Sequence, residues 1–226
     1  LERSAEQASR RGGAAAAAAF LSYAAALTQI APTEQLSLYL HVPFCASLCH
    51  YCGCHTEITT RRSKLAEFTT QLQQEIALVA RLIGRRQPVS HIHFGGGTPN
   101  YLTPQQSAAL FATLRQHFAC DDAAIAIECD PRLLTPEHIA TYAREGVTRV
   151  SLGIQDSDPQ VQQAIHRVQP IAQVRDVVQQ LRAHSITQIN FDLILGLPNQ
   201  TAASVSATLA EVIALRPPRV AVFPYT

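Results

Sequence analysis

Two patterns of hydrophobic residues alternate along the chain from about residue 35 onward. Short runs rich in β-branched and aromatic residues are separated by longer segments with apolar residues at three- and four-residue steps. The first pattern is typical of strands and the second of amphipathic helices. Six strands are predicted at residues 36–42, 91–94, 124–129, 149–154, 188–195 and 219–225. Helices are predicted at residues 64–83, 161–165, 171–184 and 201–215, from Thr103-Pro104 onward, and from Thr135-Pro136 to about Gly146.

This alternation of strands and helices predicts a parallel sheet. Right-handed crossovers join successive parallel strands, and six such units are too few for the closed eight-stranded barrel. We therefore predict an α/β fold, a partial, open (β/α)6 barrel of the TIM-like type. Its predicted limits are residues 36–226, which is a normal length for one domain.

Residues 1–35 form a separate N-terminal segment. Residues 1–13 are polar and carry both charge signs, so they are predicted to be mobile. The alanine run that follows imitates a signal peptide, but it is too short to span a bilayer, and alanine is the best helix former. A helix over residues 14–28, leading into the first strand, is preferred over an export signal. Because the sequence begins with Leu and contains no Met, a fragment or trimmed chain is expected.

The overall charge is nearly balanced. Lys and Arg number 18 against 17 Asp and Glu, a formal net charge of +1. No net field attracts nucleic acid or an anionic membrane, and neither is predicted as a partner.

Four of the six cysteines lie in one loop, from Cys45 to Cys54, directly after the first predicted strand. The CxxxCxxC spacing allows three thiolates to converge on an iron–sulfur cluster. One iron of a four-iron cluster then lacks a cysteine, and such an iron can hold a small chelating molecule and pass it an electron. A zinc site that uses Cys54, His50 or His55 as fourth ligand is an alternative, although structural zinc loops usually come as two separated halves. A disulfide framework suits short secreted chains better.

Parallel barrels place their chemistry at the carboxyl ends of the strands. The run Gly95-Gly96-Gly97-Thr98 follows the second strand. A glycine run alone is a weak signal, because most such runs are tight turns. At this position, however, glycines would let backbone approach a bound amino acid closely.

Several polar residues also follow or interrupt the predicted strands. Glu128 and Asp130 close the third strand, where a carboxylate could hold ribose hydroxyls or simply be a solvated acid. Gln155 ends the fourth strand. Asp192 sits inside an apolar strand, so it must be hydrogen-bonded or paired. Arg167 is suited to a bidentate grip on a carboxylate, and a salt bridge at the rim is the alternative.

Six motifs occur in order: YLHVPFCxxxCxxCGC, HFGGGTP, IECDP, SLGIQD, NFDLILGLP and VFPY. Over residues 20–226 this series resembles the radical S-adenosylmethionine (SAM) enzymes and, within them, the oxygen-independent coproporphyrinogen III oxidase (dehydrogenase) family. Cys54 is typical of that family, whereas related haem chaperones and haem-degrading methyltransferases usually have an aromatic residue at this point. The resemblance implies the same partial barrel.

The resemblance also implies the cofactors and their ligands. A [4Fe-4S] cluster would be bound by Cys45, Cys49 and Cys52 but not by Cys54. Tyr51 matches an aromatic residue that flanks a second SAM molecule, and Thr226 matches a backbone contact. The residues that match contacts to the first SAM are Tyr39, Gly96, Gly97, Thr98, Glu128, Gln155, Arg167, Asp192 and Ile194. No protein group is implied as catalytic acid or base.

The implied activity is a step of haem biosynthesis. The reduced cluster cleaves SAM to a 5′-deoxyadenosyl radical, which begins the anaerobic oxidative decarboxylation of two propionates of coproporphyrinogen III to vinyl groups, giving protoporphyrinogen IX. A cytoplasmic monomer with an electron donor such as flavodoxin or ferredoxin is implied. The alternatives are a cluster-containing haem chaperone and a radical methyltransferase acting on a tetrapyrrole. The family's C-terminal helical domain and N-terminal substrate motif have no counterpart in the sequence, so an inactive polypeptide is a further expectation.

Overall fold

A six-stranded, all-parallel sheet forms the centre of the molecule. A computed structural model describes residue 15 and residues 18–225. The sheet order is β1-β4-β5-β6-β7-β8, and a second, two-stranded parallel sheet pairs β2 with β3. The strands are β1 (Leu36–Val42), β2 (Phe44–Cys45), β3 (Glu57–Ile58), β4 (Val89–Gly96), β5 (Ala124–Cys129), β6 (Val147–Gln155), β7 (Gln188–Leu195) and β8 (Arg219–Pro224).

Helices connect successive strands of the large sheet. Residues 18–28 form the helix α1. The other helices are α2 (Arg62–Ile83), α3 (Pro104–His117), α4 (Pro136–Arg144), α5 (Pro159–Ala164), α6 (Ile171–Ala183) and α7 (Ala202–Ala214), with a short 3-10 turn at Pro99–Tyr101. Among the described residues, β1 and β8 each have one neighbour in the large sheet. The predicted open α/β barrel is confirmed.

All the predicted strands and helices are present, but some bounds differ and three short elements were not predicted. Strand β6 runs from Val147 to Gln155, where residues 149–154 were predicted. Strand β4 begins at Val89 and continues to Gly96, because β1 pairs with it along its whole length and extends the ladder into the glycine run. Strands β2 and β3 and the 3-10 turn were not predicted, since two- and three-residue elements leave no periodic signal. The predicted mobile segment and the first residues of the predicted N-terminal helix lie outside the described residues.

Threonine caps explain why two of the connecting helices begin where they do. Thr103 Oγ1 accepts a hydrogen bond from the Gln106 backbone N–H at 3.2 Å, and Gln106 Oε1 accepts one from the Thr103 N–H at 2.8 Å. Thr135 and His138 form the same reciprocal box before α4. Each box satisfies N–H groups that have no partner within the helix, and each is followed by a proline in the first turn.

Alternation along the strands separates the core from the site. Ile127, Leu152 and Phe191 point toward the helices and are buried in the main apolar core with residues such as Phe111 and Tyr142. Their chain neighbours point to the opposite face of the sheet, because successive side chains on a strand alternate. That face carries Glu128, Gly153 and Asp192 and lines a cavity.

In the part of the chain described here, no helix combines the length and the hydropathy that crossing a lipid bilayer requires.

Candidate functional site

The cysteine loop is closed at its base by the small two-stranded sheet. Phe44 and Cys45 pair with Glu57 and Ile58, so the loop leaves and rejoins the fold at one place. The Thr59 N–H donates to the Cys45 carbonyl oxygen at 3.2 Å. This closure holds all four loop cysteines at the carboxyl end of β1.

The glycine run after β4 packs against the start of the cysteine loop. The Gly97 N–H donates to the Val42 carbonyl oxygen at 2.8 Å, and the Thr98 N–H donates to that of Phe44 at 2.9 Å. A Cβ on Gly97 would lie 2.9 Å from the Phe44 oxygen and 3.0 Å from Cys45 Sγ. Gly96 has φ +113°, a conformation that side chains disfavour. Glycine is therefore required at position 97 by close packing against the cysteine loop and at position 96 by the backbone conformation.

The substitution Gly97→Ala should destabilise the protein by about 1–3 kcal/mol, because its Cβ would overlap backbone atoms that cannot move independently. Gly53→Ala is the control: no atom lies within 4 Å of its added Cβ, so the change should stay within about 0.5 kcal/mol. Urea unfolding of both variants measures the difference. Equal losses of stability would show that the close packing at Gly97 does not constrain the loop.

Nearly all the predicted site residues line a single cavity of about 290 Å³. Its wall contains the cysteine loop, the glycine run and the carboxyl ends of β5, β6 and β7. The predicted residues in the wall are Cys45, Cys49, Cys52, Tyr51, Gly96, Gly97, Thr98, Glu128, Gln155, Arg167, Asp192 and Ile194. Cys54 lines the cavity as well, so location alone does not separate it from the other three cysteines.

One predicted residue is placed differently, and one lies outside the described residues. Tyr39 is not part of the cavity wall; its ring stacks on His93 with centroids 5.7 Å apart, and its hydroxyl lies 3.2 Å from His41 Nδ1. Thr226 lies outside the described residues. The roles of all these residues as ligands remain predictions.

A buried charge network connects the cysteine loop to β5. Arg167 Nη1 lies 3.1 Å from Asp130 Oδ2 and 3.7 Å from Cys49 Sγ, and its Nη2 donates to the Gly153 oxygen at 2.9 Å. Arg132 also holds the Asp130 carboxylate, with its Nη2 at 2.6 Å and its Nε at 3.0 Å. Burial alone would raise the pKa of Asp130, but the Arg132 hydrogen bonds and the Arg167 charge outweigh it, and that pKa lies below its ordinary value.

This lowered pKa predicts a loss of stability in acid. The ionised Asp130 contributes its full stability above the ordinary pKa of 3.8 and loses it as the pH falls through the lower pKa of the folded state. The free energy of unfolding should therefore fall more steeply below pH 3.8 in the parent protein than in Asp130→Asn. Urea unfolding from pH 5 down to about pH 2, through the window in which a carboxylate with a lowered pKa is protonated, measures both curves. Parallel curves would contradict the assignment.

The other carboxylates of the cavity wall contact a histidine and an amide. Glu128 Oε1 lies 2.9 Å from His93 Nε2. Asp192 accepts a hydrogen bond from Asn190 at 2.7 Å, as the need for a partner predicted, and its burial raises its pKa. Gln155 has φ 65°, which is uncommon for a residue other than glycine and is found more often at functional sites.

Sequence reasoning missed two parts of this site. Asp130 was noted at the strand end, but its pairing with Arg132 and Arg167 was not. The arginine two residues after it in the sequence was the available signal. His93, which contacts Glu128, lies one strand away, and only the register of β4 against β5 brings the two together.

The donor set can supply the thiolates of an iron–sulfur cluster. The six cysteines are all free, and Cys45, Cys49 and Cys52 line one cavity. Cluster cysteines each bind a different iron and do not meet at one point.

One polar atom of the cavity wall also lacks a partner. Among the described residues, the buried Nε of Arg167, which lines the cavity, has no acceptor. An unsatisfied buried polar group is costly unless a ligand or water completes it. The residues present therefore fit a cluster together with a polar, chelating cofactor.

Comparison with known protein sequences agrees with a site for a cluster and a chelating cofactor. Residues 39–212 match the model of the radical SAM superfamily. The oxygen-independent coproporphyrinogen III oxidase of Bradyrhizobium diazoefficiens is 49% identical over 205 residues, covering 90% of this chain and 46% of the relative. That of Pseudomonas aeruginosa is 44% identical over 193 residues, covering 84% and 42%.

Comparison with solved structures leads to the same superfamily. The coproporphyrinogen III oxidase of Escherichia coli, described as a radical SAM enzyme, superposes with a TM-score of 0.85 at 38% identity, covering 89% of this chain and 46% of that one. A SAM methyltransferase of Kitasatospora setae, at 16% identity and a TM-score of 0.61, shares the fold. The chain spans about half the length of the curated relatives it matches. By sequence match, fold and cysteine loop, this chain belongs to the radical SAM superfamily.

Proposed function

We propose that this chain is the radical SAM barrel of an oxygen-independent coproporphyrinogen III oxidase, which converts two propionates of coproporphyrinogen III to vinyl groups without oxygen. The observation that carries the proposal is the convergence of the cysteine loop, the glycine run and the strand-end carboxylates on one cavity. The 49% identity over 90% of the chain with an oxidase of that name supports this choice of substrate.

Each part of the cavity wall has a separate task in this proposal. Cys45, Cys49 and Cys52 bind the cluster as thiolates. Burial raises the pKa of Cys45 in the metal-free chain, so binding of iron must displace its proton. Arg167, against Cys49 Sγ, places a positive charge beside the bound sulfur.

The remaining residues bind and orient SAM. Backbone groups of Gly96 and Gly97 and the Thr98 hydroxyl are available to its amino acid part. The carboxylates of Glu128 and Asp192 both line the cavity and are available to the ribose hydroxyls. When bound, the cluster and SAM supply a carbon radical that removes hydrogen from an unreactive C–H bond; the barrel holds its partners in position and excludes water.

The proposal extends to a second SAM molecule and to partners. Tyr51 lines the cavity and packs on the apolar side chains of Val161, Ile165, Ile194 and Leu197, which fixes its ring beside the cluster loop. The proposal also includes an electron donor such as flavodoxin or ferredoxin and a monomeric state. A cytoplasmic location is proposed because free thiols persist in reducing compartments.

The direct test is product analysis under anaerobic conditions. Protein that carries this chain is loaded with iron and sulfide and given dithionite, SAM and coproporphyrinogen III. The expected product is a divinyl porphyrinogen, detected after oxidation as protoporphyrin IX, with release of 5′-deoxyadenosine and methionine. Stoichiometric haem binding without a divinyl product would favour the chaperone alternative. Release of 5′-deoxyadenosine with a methylated tetrapyrrole would favour the methyltransferase.

A further inference from the structure

We propose that His50 and His166 form a clamp that positions Cys49 against Arg167. His50 lies inside the cysteine loop, and His166 lies in the connection between α5 and α6, far away in the sequence. Their rings stack with centroids 5.2 Å apart and an angle of 18° between planes. His50 directly follows Cys49 in the sequence, and Arg167 directly follows His166. A constraint on each histidine is therefore passed to the residue next to it.

Reciprocal hydrogen bonds hold the two segments together. His50 Nδ1 lies 3.2 Å from the Ala164 carbonyl oxygen, and His166 Nδ1 lies 2.8 Å from that of Leu48. The His50 backbone N–H adds a third bond, to the Ile165 oxygen at 3.0 Å. Each ring therefore bonds to the segment that carries the other ring.

The clamp also determines which ring nitrogen donates a hydrogen bond. A carbonyl oxygen only accepts hydrogen bonds, so Nδ1 carries the proton in both rings. His166 has φ 56°, a left-handed conformation that costs free energy for most residues other than glycine. This conformation turns the chain between the α5 end and Arg167, and the bond to Leu48 helps to hold it.

The consequence concerns the two residues next to the histidines. Cys49 and Arg167 are both buried, and their side chains meet at 3.7 Å. The histidine pair itself is exposed, whereas the contact beside it is buried. The clamp thus presents Cys49 in a fixed place before any iron binds. Only the use of that position depends on the proposed function; the clamp itself is a property of the metal-free chain.

The test compares the accessibility of two buried thiols. The metal-free chain is alkylated with iodoacetamide under reducing, anaerobic conditions, and mass spectrometry follows Cys49 and, as an internal control, Cys120, which is buried elsewhere in the core. Hydrogen–deuterium exchange of residues 45–55 is measured in parallel. His50→Phe and His166→Phe keep the ring but remove the donor. Each should speed the alkylation of Cys49 and the exchange of the loop about tenfold, with Cys120 unchanged.

Two further variants sharpen the result. His166→Asn should keep the alkylation of Cys49 as slow as in the parent chain. An amide can donate to the Leu48 carbonyl oxygen, and asparagine tolerates positive φ. His184→Ala is the matched control, since this exposed histidine also bonds a carbonyl oxygen, that of Gln180, but on its own helix; it should have no effect.

Unchanged Cys49 reactivity in both phenylalanine variants would overturn the proposal. An equal rise at Cys120 would overturn it as well, because the histidines would then stabilise the whole fold and not the loop. A chain that binds no iron in any variant would contradict the proposed function while leaving this thiol test intact.

Discussion

Single substitutions Cys45→Ser, Cys49→Ser and Cys52→Ser are each expected to remove nearly all iron and acid-labile sulfide from anaerobically reconstituted protein. The parent should hold about four of each per chain. A cluster needs thiolate ligands, and a serine hydroxyl is a poor substitute for a soft iron centre. Iron and sulfide analysis, with the visible absorption of the cluster, measures the loss.

Cys54→Ser is the matched control and should retain iron and sulfide. Cys54 lines the same cavity, and its partial desolvation together with the neighbouring Cys52 thiol raises its pKa to about 11. Loss of iron in Cys54→Ser but not in Cys52→Ser would reverse the proposed roles of the two. Four equivalent losses would mean that every corner of the metal site is bound by protein.

Replacement of the buried arginine by leucine, Arg167→Leu, should lower the free energy of unfolding by about 3 kcal/mol, because removing one partner of a buried ion pair leaves the other charge uncompensated. Arg132 still holds Asp130, which keeps the expected loss near the lower end for such pairs. The same variant removes the contact to Cys49 Sγ. Urea unfolding of the metal-free chain measures the change.

Arg144→Ala serves as the control for Arg167→Leu. Its side chain is 63% exposed, and its partner Glu145 keeps a second ion pair with Arg115. A change below about 0.5 kcal/mol is expected, as for most surface pairs. If both variants lose the same stability, the Asp130 network contributes no more than a surface pair does.

Local patterns in the sequence were sufficient for the secondary structure. The run at β1 and the alternating apolar residues of β5 and β7 placed those strands with the bounds that the structure has. The Thr-Pro pairs that open α3 and α4 located helix starts to within one residue, since a capping box is a property of four adjacent residues. The two-residue strands that close the cysteine loop were missed because they pair residues thirteen positions apart.

The sequence predicted which residues line the site, but it did not predict which of them contact one another. Parallel strands bring their carboxyl ends to one edge, so residues after different strands could be expected to meet, and Glu128, Gln155 and Asp192 do line one cavity. The partner of each residue could not be predicted. His93 reaches Glu128 through strand register, and Tyr39 turns to stack on His93 and lies outside the cavity wall.

The sequence by itself determined the order of strands and helices and the loop that concentrates the cysteines, because each depends on residues close together in the chain. The alternation of strands with helices was enough to predict the open parallel barrel. Only the tertiary structure decided which distant groups touch: Arg167 with Asp130 and Cys49, and His50 with His166. These contacts join elements more than thirty residues apart. Their geometry depends on how the strands twist and pack, which no local periodicity records.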